Sequence, residues 1–191
     1  MKMAFRALDV VAALAVLAWS PQASAQLVNG GFENGSFSGW TQTGDTSFSG
    51  VDPLAAQSGA FGAFFGPSAI GGISQSFATL AGSIYQVRFG LALNDPAQPN
   101  SFSWTWNGVA QSPALVNTSA FDFTNFSALV SATGATSTIA FSFLDPQAFY
   151  FLDNVSVAAV PEPSEVALML AGLALVLGKL RRPRLPVKRA T

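Results

Sequence analysis

The stretch Tyr85-Gln86-Val87-Arg88-Phe89-Gly90-Leu91-Ala92-Leu93 decides how the rest of the chain is read. Tyr85, Val87, Phe89, Leu91 and Leu93 fall on every second position, and Gln86 and Arg88 fall between them. Successive side chains of a strand point to opposite faces, so this spacing describes a β-strand with one buried face. The same period recurs downstream. Phe102, Trp104 and Trp106 alternate with Ser103 and Thr105, and Ile139, Phe141 and Phe143 alternate with Ala140 and Ser142. Phe149, Phe151, Val155 and Val157 read as one face of a final strand. Asn94-Asp95-Pro96 to Pro99-Asn100 is a turn-rich connector, and Asn107-Gly108 is a hairpin signal. Between 26 and 160 no 3.6-residue period is sustained, no internal repeat occurs, and the chain is rich in Gly, Ser, Thr, Ala and Phe. Many short strands of this kind imply an all-β chain, an antiparallel β-sandwich of jelly-roll type.

Both ends carry a different pattern. Lys2 and Arg6 precede the apolar run Val10 to Trp19, and Ala23-Ser24-Ala25 follows it. A basic start, a short apolar run and a small-residue site describe a secretory signal peptide, cleaved after Ala25. At the other end Pro161-Glu162-Pro163 precedes a 13-residue apolar run, Val166 to Gly178. A helix is expected at about 165–180, and its apolar run is about 20 Å long. That falls short of the roughly 30 Å hydrocarbon core of a bilayer. Lys179, Arg181, Arg182, Arg184, Lys188 and Arg189 follow with no acid among them, the bias of a segment whose far side stays cytoplasmic. Three parts result: a signal peptide at 1–25, an exported domain at 26–159, and a terminal segment at 160–191 whose basic tail is 179–191. A chain of the exported part's size suits a single domain with one core.

The whole chain has a net charge of −1, which hides an asymmetry. Between 26 and 160 the acids are Glu33, Asp45, Asp52, Asp95, Asp122, Asp145 and Asp153, and the only base is Arg88, a balance of −6. Such a surface repels nucleic acid and anionic lipid. It suits a hard cation such as calcium, which prefers carboxylate and carbonyl oxygen. The chain has no Cys and no His. No disulfide, no Ser-His-Asp or Cys-His arrangement and no zinc set is therefore available. A carboxylate pair, as in glycoside hydrolysis, is the one catalytic device the composition permits. The expectation is a protein that is not an enzyme.

Pro161-Glu162-Pro163, the Val166–Gly178 segment and the Arg181-Arg182 cluster together resemble the PEP-CTERM sorting signal of exported proteins of Gram-negative, exopolysaccharide-producing bacteria. That resemblance implies recognition by an exosortase-type membrane peptidase near the Pro-Glu-Pro motif. It also implies passage through the inner membrane with a transient or retained C-terminal anchor, a transmembrane helix, and a final place in the cell envelope or outside the cell. Leu27-Val28-Asn29-Gly30-Gly31-Phe32-Glu33, with Gly39-Trp40, resembles the opening of family 4/9/22-type carbohydrate-binding modules. Phe149-Tyr150-Phe151-Leu152-Asp153-Asn154-Val155-Ser156-Val157 resembles their closing strand, although the second of the two acids often found there is Asn154 in this chain. This second resemblance implies a galactose-binding-like jelly roll.

Candidate site residues follow. The family's structural calcium site uses acids at the positions matching Glu33 and Asp153, and its remaining ligands would come from Asp52 and the Gln57-Ser58 carbonyls. On the alternation, Asp153 shares a face with Phe151 and Val155, where an unpaired acid is costly. The alternative is that Asp153 lies at a bulge and faces water. Trp104 and Trp106 project from one strand face, either as a platform for sugar rings or as core, the commoner fate of alternating aromatics. Tyr150 is a further rim candidate, and Trp40 reads as core. Arg88 reads as a solvated strand residue. Two function classes stay open: a glycan-binding module associated with extracellular polysaccharide, and a structural envelope or matrix protein with no specific ligand.

Overall fold

The computed structural model describes residues 27–161 and 163–180. Ten strands follow one another: β1 (Thr41–Gly44), β2 (Ser49–Asp52), β3 (Gly62–Phe65), β4 (Gly71–Ala78), β5 (Ile84–Leu93), β6 (Ser101–Trp106), β7 (Val109–Val116), β8 (Phe121–Ser131), β9 (Thr136–Leu144) and β10 (Tyr150–Ala159). They form two five-stranded sheets. The front sheet has the order β1-β4-β9-β6-β7 and the back sheet the order β2-β3-β10-β5-β8. Neighbouring strands pair antiparallel throughout. This is the antiparallel β-sandwich expected from the alternation.

The inner faces meet in an aromatic core. Tyr85, Val87, Phe89, Leu91 and Leu93 are all buried, as their spacing required. Phe65 of β3 stacks on Phe143 of β9 at 4.0 Å and 4°. Phe89 of β5 meets Phe102, Trp104, Phe126 and Phe141, so one ring links both sheets. Between β6 and β7 the hairpin turns on Asn107 (φ 51°) and Gly108 (φ 78°), the two left-handed positions that an Asn-Gly turn supplies. The opening segment is irregular rather than a strand. Val28 exchanges hydrogen bonds with the Gln75 side chain, and Gly30 accepts from the Val155 N–H, which ties the start of the domain to β4 and β10.

The final strand departs from the sequence reading. Tyr150, Leu152, Val155 and Val157 face inward, with exposures of 0, 0, 5 and 7%. Phe151 and Asp153 therefore face out. The ladder to β5 shifts register between Asp153 and Ser156, and Asn154 there has a φ of 54°. One extra residue in a bulge exchanges the faces of everything beyond it, so Phe151 and Val155 do not share a side. Asn tolerates the left-handed conformation that the bulge demands.

The helix α1 (Pro163–Leu180) is a separate unit. Pro163 stands at its first position, where a missing N–H costs nothing. Leu168, Met169, Leu170, Leu173, Leu175 and Val176 are exposed. Among the described residues no helix is long and apolar enough to cross a membrane, which corrects the expectation of a transmembrane helix. The physical reason is in the sequence: Ser164 and Glu165 at one end and Lys179 at the other leave too short an apolar run. The signal peptide with Ala23 and Ala25, the sorting residue Glu162, and Arg181 and Arg182 lie outside the described residues.

Candidate ligand groove and the loop that walls it

The aromatic residues chosen from the sequence are all interior. Trp104 is 1% and Trp106 3% exposed. Their indole N–H groups donate to the carbonyls of Ser112 (3.1 Å) and Ser131 (2.9 Å). Tyr150 is fully buried and donates from its hydroxyl to Asn100 Oδ1 at 2.9 Å. Burial, and then the charge of Asp145, push its phenol above the ordinary range. A ring packed between two sheets cannot stack on a sugar, so the Trp104/Trp106 platform and the Tyr150 rim are corrected to core. Trp40 is core as expected, and Arg88 is exposed on β5.

Glu33 and Asp153 do meet at one loop. After β2 the chain makes a 3-10 turn at Pro53–Ala55, capped by Asp52, whose Oδ1 accepts from the Leu54 N–H at 2.8 Å. Residues 53–61 then cross the outer face of the back sheet as a strap before entering β3. Two strand glycines make room for it. A Cβ at Gly62 would come within 2.0 Å of the Ala55 carbonyl oxygen, and one at Gly90 within 1.9 Å of Gln57 Oε1. Asp153 Oδ2 accepts from the N–H groups of Gln57 (2.9 Å) and Ser58 (3.0 Å), and its Oδ1 from that of Asn154 (2.6 Å). Glu33 accepts from the N–H groups of Ala60 (2.9 Å) and Phe61 (3.4 Å).

Asp153 has no exposed surface, and burial holds its carboxyl above the ordinary 3.8. The three N–H groups oppose that shift and the charge of Glu33 adds to it. Each Glu33 oxygen and Asp153 Oδ1 accept one of these bonds, so a lone pair on each suits a hard cation. The other two candidates are placed differently. Asp52 caps the 3-10 turn through its Oδ1, and Ser58 donates its hydroxyl to Asn154 Oδ1 at 2.8 Å. Among the described residues no group of three or more acidic, His or Cys side chains gathers to hold a metal. A cation here would therefore complete its shell from backbone carbonyls.

Beside the strap lies an open groove of about 570 Å³. Ala92 and Phe151 form its floor, Leu54 and Ala56 of the strap one wall, and Asp122 and Phe123 of β8 the other. Phe123 and Phe151 lie with ring centroids 6.4 Å apart and planes 31° apart, both half-buried. Asp122 is the one carboxylate in this lining, and Asn94 sits at its edge. The outer face of the front sheet differs: Ser74, Ser76, Ser103, Thr105, Thr138 and Ser142 line it with small hydroxyls. Sequence reasoning missed the groove because Phe123 and Phe151 look like core residues. Glycines within strand patterns, Gly62 and Gly90, were the available signal, since they mark close backbone approach.

One buried acid lies elsewhere. Asp145 is fully buried, its Oδ1 accepts from the Ala148 N–H at 3.0 Å, and its Oδ2 has no partner among the described residues. Burial raises its carboxyl above the ordinary range.

Among solved structures, the chain is similar to a family 61 carbohydrate-binding module in complex with beta-1,4-galactotriose, with a TM-score of 0.59 and 20% identity over 71% of this chain and 99% of that one. It is similar to a family 22 xylan-binding domain from Paenibacillus barcinonensis, with a TM-score of 0.53 and 19% identity over 75% of this chain and 99% of that one. A family 16 carbohydrate-binding module is similar with a TM-score of 0.50 and 18% identity over 69% and 98% of the two chains. No protein-family profile and no curated protein matches the chain. At these identities the likeness is one of fold alone: the two-sheet sandwich is similar to those of the three modules.

Proposed function

We propose that this chain is an exported, non-catalytic module that binds a neutral polysaccharide in the groove above Ala92. The observation that carries this is the pair Phe123 and Phe151, ring beside ring in the lining of an open groove. The C–H faces of a pyranose stack on such rings, and a few polar groups fix its orientation. The fold it shares with modules solved with galactotriose or described as xylan-binding supports the same function. The −6 balance of the domain disfavours acidic glycans. Affinity gel electrophoresis through β-1,4-galactan and through xylan tests the reading. Retardation of the wild type is expected in at least one gel, and Phe151→Ala should weaken it about tenfold or more, or about 1.4 kcal/mol. Unretarded wild type in both gels would favour the alternative, a structural envelope protein without a specific ligand.

The terminal segments make this an envelope or extracellular protein. In this reading an exosortase-type peptidase cuts near Pro161–Pro163, after transient contact of the C-terminal segment with the inner membrane. Intact-mass analysis of the surface-exposed pool should give a chain that starts at Gln26 and lacks Lys179 to Thr191. A surface pool that retains those residues would refute the sorting step.

Glu33 and Asp153 would hold one structural Ca²⁺, with the peptide carbonyls near Ser58 completing the shell. The ion would neutralise two carboxylates and fasten the strap.

A further inference from the structure

Beside the aromatic pair, on the same outer face of the back sheet and just beyond the residues that line the groove, runs a row of side-chain amides. Ser58 Oγ donates to Asn154 Oδ1 at 2.8 Å, Asn154 Nδ2 donates to Gln57 Oε1 at 3.0 Å, and Gln57 Nε2 donates to Asn125 Oδ1 at 3.1 Å. The row crosses from β10 over β5 to β8, and the absence of a side chain at Gly90 lets Gln57 lie flat between its two partners. All three of its bonds are exposed.

Register fixes where this row stands relative to the rings. Asn125 lies two residues beyond Phe123 on β8, and Asn154 follows Asp153, which lies two beyond Phe151 on β10. Two residues along a strand are about 7 Å. The amides therefore run parallel to the aromatic pair at about the width of one sugar ring. A structural purpose alone would be met by the backbone N–H groups of Gln57 and Ser58 on Asp153, which already hold the strap. The amides add a line of donors and acceptors with a fixed direction. Bonds in such a chain polarise one another toward its end. That end is the exposed Asn125, whose Nδ2 lies beyond the last bond of the row.

We infer that the Asn154–Gln57–Asn125 row is the hydroxyl-reading edge of the groove. It takes the equatorial hydroxyls of a neutral pyranose whose C–H face rests on Phe123 and Phe151, with Asn125 Nδ2 as the principal donor to a sugar oxygen. This rests on the glycan-binding function proposed above and assigns its polar specificity to three residues outside the aromatic pair.

The test compares full-length wild type, Asn125→Ala, Gln57→Ala and Phe151→Ala in affinity electrophoresis. The probes are β-1,4-galactan, xylan and a partly O-methylated form of whichever of the two is bound. Thermal unfolding of each variant is followed in parallel. Wild type should bind the methylated polymer about five- to tenfold more weakly than the free one, the scale of one hydrogen bond. Asn125→Ala should melt like wild type, bind the free polymer about five- to tenfold more weakly, and no longer distinguish it from the methylated form. Gln57→Ala should lose the same discrimination, and its melting temperature reports any loosening of the strap. If Phe151→Ala abolishes retardation while Asn125→Ala binds and discriminates as wild type does, the amide row is not the reader and the aromatic pair stands. If wild type is retarded by neither polymer, both ideas fall.

Discussion

Replacing Trp104 by alanine should lower the unfolding free energy by about 3–5 kcal/mol, the usual cost of emptying a large aromatic site in a core. Its indole is 1% exposed, packs edge-on to Phe89 at 5.6 Å and stacks against Phe141 at 6.3 Å. Truncation would remove these contacts and free the Ser112 carbonyl to which the indole donates. A domain of this size is stable by about 5–15 kcal/mol, so the loss would take a large part of the total. Urea unfolding of the exported domain measures it. The midpoint should fall steeply while the dependence on urea stays constant, because the surface exposed on unfolding hardly changes. In the cold, where the variant is still folded, polysaccharide binding should match the wild type. A variant of near wild-type stability with lost binding would restore the ring to the surface and undo the core assignment.

Asp153→Ala should cost about 2–5 kcal/mol and release the strap. The substitution would strand the part-buried N–H groups of Gln57 and Ser58, and a donor left without a partner in a fully buried site costs about 1–3 kcal/mol, an upper bound here. It would also dismantle the proposed calcium site. Wild type should melt several degrees higher with calcium than with chelator, since an ion at 100 times its dissociation constant contributes about 2.7 kcal/mol. Asp153→Ala should show no such response. Equal wild-type midpoints with calcium and with chelator would end the calcium proposal and leave the strap argument intact.

The pH dependence separates the two roles of this acid. Without an ion the folded carboxyl titrates above 3.8, so between 3.8 and the folded value the native state holds the extra proton. Stability from this residue then falls as pH rises through that window. A bound cation favours the carboxylate and reverses the slope. Melting curves from pH 4 upward, with calcium and with chelator, should diverge as the pH rises. Parallel curves would mean that no cation touches Asp153. Asp45 behaves oppositely: bonds from Ser47 and Ala69 lower it to about 2, so what it contributes is lost only as pH falls below 3.8.

The inward faces of β5, β6 and β9 could be read from the chain because alternation is a local property and burial of large apolar residues is its consequence. The Asn107-Gly108 turn was readable for the same reason: its left-handed backbone is a preference of those two residues. Glu33 and Asp153 could be paired only through resemblance, since 120 positions of sequence separate them and no periodicity spans that distance.

Tertiary structure decided the outer faces. A single bulge at Asn154 put Phe151 and Asp153 on the outer face while Val155 and Val157 beyond it point inward, and a one-residue slip leaves hardly a trace in composition. The strap then covered Asp153 on the outer face of the sheet and left Phe151 and Phe123 beside an open groove. The sequence by itself determined which residues are apolar enough to need an interior, because hydrophobic transfer is set by each side chain. Which aromatics exceed the interior's capacity and remain at the surface depended on strand order, register and the path of one loop, and those are fixed only when the two sheets pack.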